Sequence, residues 1–222
     1  MPKIPINAEL PANVEVLGYQ NNYVDILMSR LCNASTGAQL FRTTLAQLGA
    51  TLAMAALKFM PSSPMVMADA MNATFGGAVT RESIGLIPIL TAGDHLKPGV
   101  QMLLPDASHH PITIQRDEAT KLPVVGAHKL VGIPVDWGMV LEPMIASGGS
   151  LNAAISMIKK WGVSKITVLS CLAAPEGIHA VHAAHPEVNI VVGDLGKGLN
   201  SNLFIIGPAA GDCGDRANGL RL

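Results

Sequence analysis

From residue 84 onward the chain alternates apolar runs of strand length with amphipathic or small-residue segments, and this alternation restricts its fold more than any other feature. SIGLIPIL reads as a buried strand, TAGDHLKPGVQML as a loop and helix, and PITIQ as a second strand. VDWGMVLE, SLNAAISMIKKWG, KITVLSCLA, PEGIHAVHAAH and VNIVVG continue as strand, helix, strand, helix, strand. Strands that are apolar at successive positions must be covered on both faces, and strands joined through helices run parallel. The expected class is therefore α/β, a mainly parallel sheet flanked by helices. Ligands of such sheets bind beyond the carboxyl ends of the strands, so the loops that follow the strands carry function.

Upstream, Val24, Ile26, Leu27 and Leu31, then Leu40, Leu45, Leu48, Leu52 and Met54, predict two helices. Residues 1–20, rich in Pro and Asn, are expected to lie extended over the surface, and MVMADAMNATFGGAVT is an extended arm or a hairpin. The expected organisation is a single domain over 1–222, with a helical N-terminal part (1–60) and a core from about residue 84. With 222 residues, 49% of them hydrophobic, the chain can bury an ample core. A net charge of -1 with no block of like charges argues against nucleic acid or a membrane surface as partner. Cys32, Cys171 and Cys213 are too few and too dispersed for a disulfide framework or zinc cluster, which points to a reducing cytoplasm. MPKIPINAELPANVEV lacks a cationic segment followed by an apolar core, and no apolar run approaches the ~20 residues of a membrane span.

The loop most suggestive of chemistry is Ala146-Ser147-Gly148-Gly149-Ser150, between an apolar run and an amphipathic helix. Its residues are small enough for backbone N–H groups to close on an anion, with the helix dipole directed at the same place. Glu142, just before it, would repel a phosphate but accept hydrogen bonds from vicinal hydroxyls, so the pair fits a sugar phosphate. The alternative is a plain turn in which Ser147 or Ser150 caps the helix. No GxxxxGK(S/T) is present, and no GxGxxG follows a strand.

LEPMIASGGS resembles the DPM(L/I)ATGGS phosphoribosyl pyrophosphate motif of the uracil phosphoribosyltransferases, which have the type I phosphoribosyltransferase fold. In the same order, PILTAG is similar to PILRAG, IQRDEATKLP to an RxEET loop, CLAAPEG to the AAPEG stretch and GDCGDR to a terminal GD(A/F)GDR. The resemblance runs from about residue 84 to the C-terminus and implies N-terminal helices, a β-hairpin hood, and conversion of uracil and phosphoribosyl pyrophosphate to UMP and pyrophosphate with Mg2+. It gives residues 146–150 the 5′-phosphate, Glu142 the ribose hydroxyls, and Thr91, Ala92 and Gly93 the pyrophosphate. It makes Arg116 the cation of a mobile hood over 115–121, with Lys129 near its returning end. Asp212 becomes the magnesium acid, and main chain around Ile206, Gly211 and Cys213 reads the base.

Several positions depart from that pattern. Thr91 stands where the family has arginine, which removes a charge, and Lys97 is the nearby candidate to replace it. FIIGPAAGD has one residue more than YI(I/V)PGLGD, and the ending ANGLRL replaces xFGT. Two alternatives stay open on these grounds: an impaired homologue serving as a nucleotide-binding or regulatory subunit, and a transferase for another base. His109 and His110 fall in an expected turn. His179, His182 and His185 share a helix face, a pattern that fits packing better than a metal site, since no carboxylate or cysteine joins them at ligand spacing. The apolar composition and Met- and Ala-rich N-terminal helices predict a homodimer or larger assembly, and GTP is a candidate effector by resemblance.

Overall fold

A computed structural model describes residues 9–117, 120 and 123–220, with Arg116 described by its backbone. In chain order the elements are β1 (Val14–Val16), α1 (Asn22–Cys32), α2 (Ala38–Leu57), β2 (Ser63–Ala68), β3 (Thr74–Val79), β4 (Ile84–Leu90) and α3 (Lys97–Leu103). They continue as β5 (Ser108–His109), β6 (Ile112–Arg116), β7 (Pro123–His128), β8 (Trp137–Leu141), β9 (Met144–Ile145), α4 (Gly149–Trp161), β10 (Lys165–Ala173), α5 (Pro175–Ala184), β11 (Asn189–Leu195) and α6 (Cys213–Asn218).

The main sheet runs β1-β11-β10-β8-β4-β6-β7, with β5 beside β4 and β9 beside β10. All its pairings are parallel except β6 with β7, which close a hairpin. This is the α/β class expected from the alternation of apolar runs and helices. The pleat divides each central strand between two cores: Leu86, Met139 and Leu169 join the face covered by α1 and α2, while Ile87, Val140 and Val168 join the face covered by α4 and α5. Each such side chain, fully buried, contributes about 1.5–3 kcal/mol relative to exposure. Trp137 is fully buried and satisfies its indole N–H by donating to Thr167 Oγ1 at 3.0 Å.

Two sequence expectations change. Residues 14–16 do not drape over the surface; they form the edge strand β1, in register with Ile190 to Val192, because the Asn13 side-chain amide donates to the carbonyls of Pro186 (3.1 Å) and Val188 (2.5 Å). The part of that expectation concerning residues 1–8 lies outside the described residues. His109 belongs to β5, paired with Leu86, while Ser108 and the Lys129 carbonyl hold the His110 ring. Helix α2 is, by length and composition, apolar enough to cross a membrane. Arg42, Thr43, Thr44 and Gln47 interrupt its apolar residues, so it does not read as a continuous run. Its Phe41, Leu45, Leu48 and Leu52 are fully buried against the sheet.

The ambiguous MVMADAMNATFGGAVT segment forms the antiparallel hairpin β2–β3, from Ser63 opposite Val79 to Ala68 opposite Thr74. Asp69 closes its turn by accepting from the Met71 and Ala73 N–H groups. Met65, Val66, Met71 and Phe75 on this hairpin are all exposed.

Helices α2 and α3 meet backbone to backbone. A Cβ on Gly99 would lie 1.7 Å from the Ala46 carbonyl oxygen, and one on Gly49 2.2 Å from that of Leu96. Gly99→Ala therefore forces the helices apart and should lower stability by about 1–3 kcal/mol. Urea titration measures this, and an unchanged midpoint would show that the helices do not approach so closely.

Candidate active site

Of the loops singled out in the sequence, all but the C-terminal segment directly follow the carboxyl end of a strand in the main sheet. Thr91 follows β4, Glu142 follows β8, Ala146 follows β9, and Asp117 follows β6. Parallel strands put these loops at one edge, together with the segments after β10 and β11.

The Ala146–Ser150 turn is shaped by its neighbours. Gly148, which has no side chain, sits at the N-cap of α4 with φ +79°. A positive φ there favours glycine. The start of α5 presses on this turn from behind: a Cβ on Gly177 would lie 2.0 Å from the Ala146 carbonyl oxygen, and one on Gly148 2.8 Å from that of Gly177. Gly149, by contrast, has only Ser147 Oγ near its Cβ position, at 3.8 Å. The AAPEG motif thus braces the turn, a role not evident from local sequence. Glu176 of the same motif accepts from the Leu199 N–H at 3.1 Å and so steadies the segment after β11.

Glu142 donates its backbone N–H to Leu169 at 3.1 Å. Its carboxylate lies close enough to Cys213 to act on it: burial first, then Glu142, pushes that thiol well above its ordinary range. Cys171 is raised by burial first and then by Cys213 and Cys32, and Cys32 is pushed up to about 11 by burial first and then by Asp194. Cys171 and Cys213 are buried in the core beneath α1 and α2, and the half-buried Cys32 packs against it.

The Thr91–Gly93 loop begins a short 3-10 turn, Ala92–His95, after a cis Leu90–Thr91 peptide. It lies on the end of β8, where a Cβ on Gly93 would fall 2.1 Å from the Leu141 carbonyl oxygen. On its other side it meets α6: the Cβ position of Gly214 is 3.1 Å from Thr91 Oγ1 and 3.3 Å from Asp212 Oδ1. Thr91, Ala92, Asp212 and Gly214 are thus brought together. Lys97 is engaged elsewhere, its Nζ 3.1 Å from Asp94 Oδ1, an oxygen that also lies 3.5 Å from His109 Nε2.

Asp212 is exposed and caps α6, its Oδ1 accepting from the Asp215 N–H at 2.9 Å. Gly211, with φ +70°, is exposed, whereas the Cys213 side chain is buried and leaves only its backbone for recognition. Both main-chain groups of Ile206 are engaged in a tight hairpin, the N–H with Gly198 and the carbonyl with Lys197. Only its half-exposed side chain faces outward. Arg116 ends β6 opposite Pro123, but its side chain and residues Glu118, Ala119 and Lys121 of the expected hood lie outside the described residues. The described part of the hood tip is ordered by Asp117, which accepts from the N–H and hydroxyl of Thr120 at 2.7 and 2.8 Å. His185 lies between α4 and α5, its Nδ1 2.8 Å from Lys159 Nζ and its Nε2 3.3 Å from the Asn152 carbonyl. A cleft of about 770 Å³ runs along β1, lined by Leu10, Glu15, Tyr19, Lys58 and Phe59, and includes none of the candidate site residues.

Gly149 of the Ala146–Ser150 turn and Gly177 of α5 should respond differently to a methyl group. Gly149→Ala is expected to leave stability within about 1 kcal/mol, the helix propensity difference. Gly177→Ala must displace the Ala146 turn and should cost about 1–3 kcal/mol. Thermal unfolding of both variants checks the contrast, and equal stabilities would contradict the bracing role.

The sequence profile of the uracil phosphoribosyltransferase family matches residues 18–219. The chain is 38% identical over 201 residues to the uracil phosphoribosyltransferase of Roseiflexus castenholzii, covering 90% of this chain and 96% of that protein. It is 34% identical over 195 residues to that of Caldanaerobacter subterraneus subsp. tengcongensis, covering 87% and 92%. Among solved structures, the AQ2163 protein from Aquifex aeolicus matches with a TM-score of 0.87 at 28% identity, covering 94% of this chain and 99% of that one. With the family profile spanning nearly the whole chain, and the Ala146–Ser150 turn, AAPEG brace and C-terminal acid gathered at one sheet edge, the chain belongs to the uracil phosphoribosyltransferase family.

Proposed function

We propose that the protein transfers the phosphoribosyl group of phosphoribosyl pyrophosphate to uracil, releasing UMP and pyrophosphate. The observation that carries this reading is the meeting of three loops distant in sequence: Thr91 and Asp212 flank Gly214, and Gly93 packs on the Leu141 carbonyl at the end of β8, the strand that leads into Glu142. Breaking the C1–O bond leaves positive charge on the ribose and negative charge on pyrophosphate. Such a reaction needs donors and cations at the leaving group more than a protein nucleophile.

In this reading the backbone N–H groups of residues 146–150 bind the 5′-phosphate, helped by the dipole of α4. The Glu142 carboxylate accepts from the ribose hydroxyls and orients C1 toward the base. Thr91, Ala92 and Gly93 offer backbone N–H groups and one hydroxyl to pyrophosphate, and Arg116 brings positive charge as the hood closes and excludes water. Because Lys97 is tied to Asp94, Arg116 carries most of the charge that Thr91 does not supply. The base is read by main chain near Gly211 and Cys213 and by the side chain of Ile206.

Among the described residues no three His, Cys, Asp or Glu side chains cluster as a metal site. Asp212 is a single exposed carboxylate. That donor set fits magnesium, which keeps several waters and is held by one or two carboxylates with substrate phosphates. Bound through Asp212 and pyrophosphate oxygens, it would neutralise charge on the leaving group.

The test is UMP formation with magnesium against a panel of free bases, with and without GTP as effector, alongside calorimetric titration of phosphoribosyl pyrophosphate. Uracil should be the preferred acceptor. Glu142→Ala and Gly149→Val should each weaken phosphoribosyl pyrophosphate at least ~100-fold, the size of two hydrogen bonds to charged groups. Turnover of another base only, or unchanged affinity in both variants, would remove the reading.

We also propose that the protein works in the cytoplasm as a homodimer or larger assembly. The supporting observation is the β2–β3 hairpin, whose Met65, Val66, Met71 and Phe75 are exposed although an isolated two-stranded hairpin is marginal in water. A second copy of the chain is the partner that would cover it. Sedimentation at micromolar concentration should give at least twice the monomer mass, and Val66→Asp with Phe75→Asp should lower it; a monomeric wild type contradicts the assembly.

A further inference from the structure

We infer that Arg216 is a positioning residue for the base-binding end of the site, holding the segment from Ala210 to Cys213 in the conformation that presents Asp212 and the main chain around Gly211. Its Nη1 donates to the carbonyls of Ala210 at 2.5 Å and Leu31 at 2.7 Å, and its Nη2 to that of Asn33 at 2.7 Å. The guanidinium carbon lies 4.3 Å from the centroid of the buried Phe41 ring. Among the described residues no carboxylate forms a salt bridge with this arginine. Its charge is directed instead at main-chain carbonyls, two of them at the C-terminal end of α1, where the helix dipole is negative.

The contacts with the site segment are consecutive. The Ala210 carbonyl accepts from the guanidinium, Gly211 packs its Cβ position 3.3 Å from Arg216 Cδ, and the Asp212 carbonyl accepts from the Arg216 N–H at 3.0 Å. Gly211 needs its positive φ to turn at this point, and any side chain would also meet the arginine stem. Arg42 adds a second tie, donating to the Ala217 carbonyl at 2.7 Å. Arg216 thus joins three elements, the end of α1, the ring of α2 and the loop before α6, and only the last of these touches the proposed site. Lysine cannot replace it, because a planar fork is needed to reach three carbonyls while stacking on an aromatic ring.

This inference deepens the proposed reaction and rests on it for the role of the segment, so the test reads conformation and kinetics separately. Arg216→Lys retains the charge and Arg216→Met retains the stem. In Arg216→Lys, hydrogen exchange of the amides from Gly211 to Asp215 should accelerate about tenfold or more, the scale of one lost charged hydrogen bond, while amides of β10 and α5 keep their rates. In steady-state kinetics the KM for uracil should rise about tenfold, with the KM for phosphoribosyl pyrophosphate within about twofold of wild type. Arg216→Met should move the same way if it folds; the lysine variant decides the matter if it does not. Unchanged exchange in residues 211–215, or both KM values rising together with a general loss of protection, would overturn the positioning role. A wild type that forms no UMP overturns the proposed reaction instead, and the exchange measurement still decides whether Arg216 holds the segment.

Discussion

Coverage of the central strands on both faces is the constraint on which the rest of this molecule depends. Leu86 and Ile87 in β4, Met139 and Val140 in β8, and Val168 and Leu169 in β10 are all fully or almost fully buried, yet adjacent members point to opposite cores. A strand of that kind cannot face water on either side, so the chain must return over the sheet between strands. The returns make the strands parallel, and parallel strands send their carboxyl ends to a common edge. The gathering of Thr91, Glu142, the Ala146–Ser150 turn and the C-terminal acid follows from where hydrocarbon is buried, before any interaction among those residues is considered.

What refines the edge is close backbone approach. Gly93 against the Leu141 carbonyl and Gly177 against the Ala146 carbonyl leave no space for larger residues without movement. Each contact joins loops from different strands, so the site's internal distances are set by main chain rather than by long side chains. Atoms placed this way lose little side-chain entropy when they engage a ligand. Arg216 extends the same arrangement outward, linking the last loop to the N-terminal helices through carbonyls.

Much of this was legible in the sequence, for identifiable reasons. β4, β8, β10 and β11 are continuous apolar runs bounded by turn residues, and α4 and α5 follow them with helical periodicity. The candidate loops could be found because each follows such a run. β1 was not legible, because a three-residue VEV segment becomes a strand only through its pairing with β11, far away in the chain. The same holds for the meeting of Thr91 with Gly214, for the bracing of Ala146 by Gly177, and for the engagement of Lys97 by Asp94 and of the Ile206 main chain by its own hairpin. A local pattern carries the identity of a loop but not the partner it will touch.

The three cysteines acquire a use from their position. Cys213 opens α6, and Cys171 lies within β10. Both are buried and held as thiols, a form that reacts slowly with alkylating agents. Cys213 belongs to the C-terminal segment, while Cys171 lies in the sheet interior. The difference in their labelling rates is therefore an internal clock for local detachment of α6, one that runs without substrate and distinguishes opening at this end of the molecule from unfolding of the whole.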